Sequence, residues 1–452
     1  MENLIREYMD FLDNNKTERL CTSSAVKMAT EHGYKNIFDV TSLKAGDKVY
    51  YEKMGKSIVL FQIGTDDISK GMNILGAHID SPRLDIKQNP IYEDSIYKTG
   101  LVYLNTHYYG GIKKYQWLAL QLALYGVVYK ADGTKVDIAI GDDPEDPVFC
   151  ISDILPHLAQ EQMKKSAGEF VEGEKLDAIM GVFPNVKDYK DPEYKKYAAG
   201  DAKKRILAII NEKYGITEDD FASAELELVP AGKTRYLGFD KTLILGYGQD
   251  DRVCGFTSLA AMMEVPAGSR TTCCILADKE EIGSAGATGM NSHLLDNAVA
   301  EVIARLEGNN TELTVRRALV NSLMLSSDVS TAFDPLNPGL YDAQNTSYLG
   351  KGVVFTKYTG SRGKSGASDA NPEFIAKVRG TLYDADVHFQ TAELSKVDVG
   401  GGGTIAHFAA EYGMQVLDCG VPVLSMHAPW EITSSYDVEQ AYECYKAFLK
   451  IN

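Results

Sequence analysis

The sequence predicts an α/β protein interrupted by a second domain, and three observations lead there. Helical and strand patterns alternate along most of the chain, as they do where helices cover both faces of a sheet. Apolar runs of strand length repeatedly end in a carboxylate or a histidine. The middle third breaks that rhythm with an aromatic segment and a long polar, Lys/Asp-rich stretch. A chain of 452 residues has room for roughly two or three domains, each with a sizeable core.

Taken in order, Leu4, Tyr8, Phe11 and Leu12 have helical spacing. The stretches from Ile58 to Ile63 and from Asn73 to His78 read as buried strands. The aromatic segment then runs from Tyr108 to Trp117, followed by strand-like alternation from Val136 to Ile140. The polar stretch from Val186 to Tyr197 leads to an expected helix around Arg205 to Tyr214. Strands are expected again at Thr242 to Gly246, Thr271 to Ala277, Leu319 to Leu325 and Pro422 to Met426. Helices are expected from Val253 to Met263 and from Val438 to Leu449. The glycine run Gly400 to Gly403 reads as a tight turn into a helix from Thr404 to Tyr412. The division that follows is 1–94 and 237–452 for one domain, with 95–236 inserted between two of its strands. Loop closure around an insertion costs little entropy.

Composition narrows the function. Hydrophobic residues make up 44% and charged residues 24%, which is globular rather than disordered. The formal net charge of -17 repels phosphate backbones and anionic lipid, so neither nucleic acid nor a membrane surface is an expected partner. No apolar run approaches the ~18 residues of a membrane span. The opening residues from Met1 to Tyr8 read as an amphipathic helix, not a signal or transit peptide. Seven scattered cysteines without CxxC spacing read as reduced core thiols of a cytoplasmic protein.

The polar residues that stand out do so by position. His78 and Asp80, Asp250 and Asp251, Glu280 and Glu281, Asp328 and His427 each fall at or just after the carboxyl end of an apolar run. In an open α/β sheet the ligand crevice lies outside those strand ends. Singly, each has an ordinary explanation: a helix cap for Asp250 or Asp251, a solvated charge run for Glu280 and Glu281, a turn for Asp328. Together, two imidazoles and several carboxylates on one rim form a nitrogen–oxygen set suited to zinc, cobalt or manganese. A two-metal site needs one carboxylate to bridge ions about 3.5–4 Å apart, terminal ligands for each ion, and a separate base for the attacking water. This chain has residues for every role. His78 and Asp80, two apart on a strand, share a face, so the carboxylate can orient the imidazole.

The strings GAHIDSPRLDIK (from Gly76), YYGG (from Tyr108), LPHLA (from Leu155), QDDR (from Gln249), DKEEIGSAGATGM (from Asp278), SSDVS (from Ser326), GGGTIAHF (from Gly401) and LDCGVPVLSMHAPWE (from Leu417) resemble the aspartyl aminopeptidase family. That family includes vacuolar aminopeptidase I and bacterial relatives. The resemblance runs in order across nearly the whole chain. It implies an α/β/α catalytic domain with a mixed central sheet, interrupted by a mainly β dimerisation domain. It also implies two divalent metal ions per subunit, zinc with cobalt or manganese as alternatives, and a homo-oligomer, a dodecamer built from dimers, acting on peptide substrates.

The resemblance assigns roles residue by residue. His78 and Asp328 would hold one metal, with Asp80 supporting His78. Asp250 would bridge, and Asp251 would lie outside the ligand set. Glu281 and His427 would hold the second metal, and Glu280 would be the catalytic base. His157 would contact substrate or the transition state, reaching the site of a neighbouring subunit. Neighbouring residues on an extended segment point opposite ways, which would separate Glu280 from Glu281. A glycosidase, whose carboxylates flank a sugar from opposed positions ~5 Å or more apart, is disfavoured.

The chain departs from the family pattern in places. Thr331 and Asp334 stand where histidines are common after the Asp328 motif, and Trp117 is followed by Leu-Ala-Leu-Gln rather than the usual acidic and basic pair. The lysine associated with acidic substrates corresponds to Thr356, with Lys357 displaced by one, and one step along a strand changes the face. Preference for acidic N-terminal residues is therefore left open. The alternatives are another dinuclear-metal amidohydrolase or deacylase on the same scaffold, and a non-catalytic metal-binding oligomeric protein.

Overall fold

Seven consecutive buried residues form the strand Met72–His78, the middle of a nine-stranded sheet. The structure is a computed structural model that describes residues 2–182, 201–306, 308 and 311–452. The polar stretch from Val186 to Tyr197 lies outside the described residues. The chain forms two compact units. One comprises Met1–Ser81, Thr234–Met426 and Trp430–Asn452; the other comprises Pro82–Lys233 with His427–Pro429.

In the first unit the sheet order is Lys35–Asn36, Lys48–Lys53, Ser57–Gln62, Thr271–Ala277, Met72–His78, Leu323–Ser326, Gln415–Gly420, Val353–Thr356 and Phe389–Ala392. The four strands from Thr271–Ala277 to Gln415–Gly420 run parallel, and antiparallel neighbours flank them on both sides. The sheet is mixed. Alternate residues feed opposite faces: Leu75 and Ala77 enter one core, Met72 and Ile74 the other. The first core is covered by the helices Glu2–Asn14, Glu18–Glu31, Gln249–Glu264, Pro372–Asp384 and Ser435–Leu449. The second is covered by Leu294–Arg305, Glu312–Val320 and Ala406–Ala410. This is an α/β/α sandwich. Each fully buried aliphatic side chain contributes on the order of 2 kcal/mol, which is why strands buried on both faces read as continuous apolar runs.

Three elements differ from expectation. The apolar run from Leu319 splits, because Ala318 and Leu319 are buried on the helix Glu312–Val320 and the strand starts only at Leu323. At the turn between them the Ser322 hydroxyl donates to Ala318 O and accepts from Met72 N. The strand expected to reach Met426 ends at Val423, since Ser425 and His427 both take positive φ and turn the chain. After the glycine run only Ala406–Ala410 is helical, with Thr404 Oγ1 accepting from Ala406 N.

A small antiparallel sheet of Arg235–Leu237, Leu243–Gly246 and Glu431–Ser434 joins the first unit close to its end. It carries Glu431 against Gly246, just before the helix that begins at Gln249.

The second unit is mainly β. Its six strands lie in the order Lys135–Ile140, Leu122–Tyr129, Ala224–Pro230, Arg83–Glu93, Leu101–Tyr109 and Ala178–Val182, all antiparallel. Trp117, Leu122, Leu176 and Leu228 are fully buried in its core, with Ile206 and Ile210 of the helix Ala202–Tyr214 packed against it. Among the described residues no helix is long and apolar enough to cross a membrane. All seven cysteines are free.

Candidate metal centre

Three parallel strands end side by side. Ala277 pairs with His78, and Ser326 pairs with Gly76. The register therefore brings His78, the Glu280–Glu281 pair after Ala277, and Asp328 after Ser326 to one edge of the sheet. Asp250 and Asp251 arrive from the helix Gln249–Glu264, whose entry is not helical: Asp250 has φ -77° and ψ 108°, and the peptide joining the two is cis. Gly420 is required beside Asp328, since a Cβ there would lie 1.8 Å from Asp328 O.

His78 is buried, and both ring nitrogens are occupied. Nδ1 lies 3.0 Å from Asp80 O and 3.3 Å from Asp80 Oδ1. Nε2 lies 3.1 Å from Asp250 Oδ1 and 3.9 Å from Glu280 Oε2. Donor atoms within 4.8 Å of one another occur in the sets His78, Asp250, Glu281; His78, Glu280, Asp328; and Asp250, Asp251, Asp328. Six of the residues singled out from the sequence thus converge.

Asp80 stands behind them. Its Oδ1 accepts the Glu280 N–H at 3.1 Å and its Oδ2 the Glu281 N–H at 3.2 Å. The segment carrying the two glutamates is not extended, as the sequence reading assumed. It is a 3-10 turn, Glu280–Ile282, entered through Lys279 at φ 70° and left through Gly283 at φ 92°. Three residues per turn set successive side chains about 120° apart, so the glutamates still diverge.

The electrostatics of the cluster reflect crowded, buried acids. Burial pushes the Asp328 carboxyl well above the usual range, and the neighbouring Asp251, Glu280 and Asp250 push it further. Asp251 is raised by burial too, with Asp250 adding to it and His78 opposing. Burial disfavours a charged His78, but hydrogen bonds to Asp250 and Asp80 and the nearby Glu280 outweigh it and hold the imidazole above its ordinary value. Several buried carboxylates crowded around a single imidazole favour a bound cation among them. A mixed nitrogen and oxygen set fits zinc.

The other two expected residues belong to the second unit. His427, at φ 64°, has Nδ1 3.0 Å from Gly111 O, and a Cβ on Gly111 of the YYGG string would come within 3.2 Å of that nitrogen. An imidazole donating from Nδ1 keeps its lone pair on Nε2, the tautomer a metal ligand needs. His157 is exposed on the 3-10 turn Pro156–Leu158, between exposed Leu155 and Leu158.

The family model for aminopeptidase I zinc metalloprotease (M18) matches residues 11–449. The chain belongs to the M18 aminopeptidase family. It is a zinc metalloaminopeptidase, a hydrolase of peptide bonds. It is 54% identical to the probable M18 family aminopeptidase 1 of Clostridium acetobutylicum over 98% of this chain and 93% of the relative. The crystal structure of the M18 aminopeptidase from Thermotoga maritima is 41% identical and superposes with a TM-score of 0.92, covering 99% of this chain and 96% of that one. A structure of the S. cerevisiae mApe1 dodecamer shares the fold at 22% identity, with a TM-score of 0.77 over 98% and 96% of the two chains.

Around the M18 centre lie residues that sequence reasoning did not single out. Tyr8, Gln249, Arg252 and Glu431 are buried and hydrogen-bonded next to the aspartate pair. Gln249 and Arg252 are inside the QDDR string and Glu431 closes the LSMHAPWE string, so the signal was present without a role attached to it.

Proposed function

We propose that this aminopeptidase removes N-terminal residues from peptides at a two-ion centre. Asp250 would be shared between the ions, His78 and Asp328 would hold one, and Glu281 and His427 would hold the other. The observation that carries this is the place of Asp250, whose carboxylate belongs both to a donor set with Glu281 and to one with Asp328. Zinc held there would supply Lewis acidity toward the scissile carbonyl and toward a water.

The chain's own groups do the rest. Glu280, half-buried at the same edge, takes the proton of the attacking water and returns it to the leaving amine nitrogen. Asp80 fixes the His78 ring and, through two backbone N–H groups, the turn that aims Glu280 and Glu281. His157 binds substrate from a neighbouring subunit. The second unit is the dimerisation domain of a homo-oligomer, for which the dodecamer of the yeast relative is the guide. The cytoplasm is the expected compartment.

Hydrolysis of aminoacyl-para-nitroanilides across all side-chain classes, with zinc, cobalt or manganese added to stripped enzyme, tests this reading. Release from free-amino substrates but not from N-acylated amino acids is expected, and the reverse would make it a deacylase. The same panel reads side-chain preference. Thr356 stands opposite Asp418 in register, and Lys357 is paired with Asp369 at 3.1 Å.

A further inference from the structure

We propose that Glu431 is a positioning residue for Asp250, held in place by the N-terminal helix Glu2–Asn14. The proposal rests on reading Asp250 as the bridging ligand. Glu431 is 1% exposed, and its Oε2 accepts the Asp250 backbone N–H at 3.0 Å. Because Asp250 lies at the non-helical entry of its helix, that N–H has no intrahelical role. The carboxylate therefore anchors the backbone of the residue whose side chain must meet two ions. A hydrogen bond from an amide to a buried carboxylate is stronger than one between neutral groups, and it offsets part of the desolvation of the charge.

The support continues outward to the first helix. The Tyr8 hydroxyl donates to Gln249 Oε1 at 2.8 Å, and Gln249 Nε2 donates to the Glu431 carbonyl at 2.7 Å and to Ile244 O at 3.2 Å. On the other side of the aspartate pair, the fully buried Arg252 donates to Leu12 O at 3.1 Å, Asn15 O at 2.6 Å and Gly248 O at 2.9 Å, and also to Tyr247 O. The residues immediately before and after Asp250 and Asp251 are thus tied to the same helix, one at its middle and the other at its last turn and the residue just beyond it. Packing alone would not require this. The Tyr8 ring already packs on Phe256, with centroids 5.7 Å apart, and would do so without its hydroxyl.

Zinc dissociation constants from chelator competition separate positioning from packing. They are measured on the full-length protein and its Glu431→Ala, Glu431→Gln, Tyr8→Phe and Asp250→Ala variants, alongside Tm of the zinc-free forms, kcat and KM. Glu431→Ala is expected to weaken zinc binding by about 10-fold or more, the usual effect of losing a group that orients a ligand. Glu431→Gln keeps an acceptor oxygen for the Asp250 N–H and should recover part of that loss. Tyr8→Phe should weaken zinc several-fold and lower kcat more than it changes KM, with Tm of the zinc-free form little altered. Should Glu431→Ala fail to fold, Tyr8→Phe and Glu431→Gln decide. Wild-type zinc affinity in both, with only Tm reduced, would overturn the proposal. Full zinc content in Asp250→Ala would overturn instead the ligand assignment beneath it.

Discussion

Asp80 holds Glu280 by its backbone, Oδ1 accepting the Glu280 N–H at 3.1 Å. The same residue lies against the His78 ring, so one carboxylate orients both the imidazole proposed to bind metal and the turn carrying the proposed base. Asp80→Ala is expected to lower both zinc affinity, by about 10–100-fold, and turnover of zinc-loaded enzyme. Chelator competition and kcat at saturating zinc check the two effects separately. Normal values for both would show that Asp80 is only a buried structural acid.

Glu280→Gln should leave zinc content intact while lowering kcat by about 10²–10⁴-fold, the range for loss of a general base. Elemental analysis paired with steady-state kinetics decides it. Near wild-type turnover in the zinc-replete variant would remove Glu280 from its role.

Away from the centre, Asp418 gives a pH signature. It is 4% exposed, and burial pushes its carboxyl from 3.8 up to about 7, with the Thr404 hydroxyl, 2.6 Å from Oδ1, pulling the other way. Its folded value lies above its unfolded one, so the protonated form favours the fold. That contribution is whole below pH ~3.8 and is lost as pH rises through ~7. Asp418→Asn keeps Oδ1 as acceptor for Thr404 and removes the titration. Relative to wild type, its Tm should therefore be more favourable at pH 8 than at pH 5. An equal difference at both would place the titration of Asp418 elsewhere.

His157→Ala should reduce kcat/KM without changing zinc content, because the residue sits on an exposed turn of the second unit. Mixing His157→Ala with Glu280→Gln protomers should restore part of the activity, as some sites would receive an intact base and an intact partner histidine. No restoration in oligomers shown to exchange subunits would confine His157 to its own domain.

What the sequence revealed and what it hid have physical causes. Thr271–Ala277 and Met72–His78 were legible because strands buried on both faces leave unbroken apolar runs ending in polar residues. Leu319 was misplaced since a short apolar run has the same look in a buried strand and a buried helix end. The chain at Met426 was misread because nothing local announces positive φ at Ser425 and His427. His78, Asp250, Glu281 and Asp328 stand out in the sequence by their types and their places after strand ends, and their donor atoms fall in overlapping sets within 4.8 Å. Glu431 was missed because its partner is the backbone of a residue 181 positions away. A contact to a main-chain N–H leaves no pattern in side-chain chemistry.

Elemental analysis of zinc in gel-filtered protein, for the wild type and for His78→Ala, Asp250→Ala and His427→Ala, bears on the two-ion centre without intermediate assumptions. Two zinc ions per subunit are expected in the wild type and fewer in each variant. A single ion in the wild type, or two retained in all three variants, would contradict the assignment.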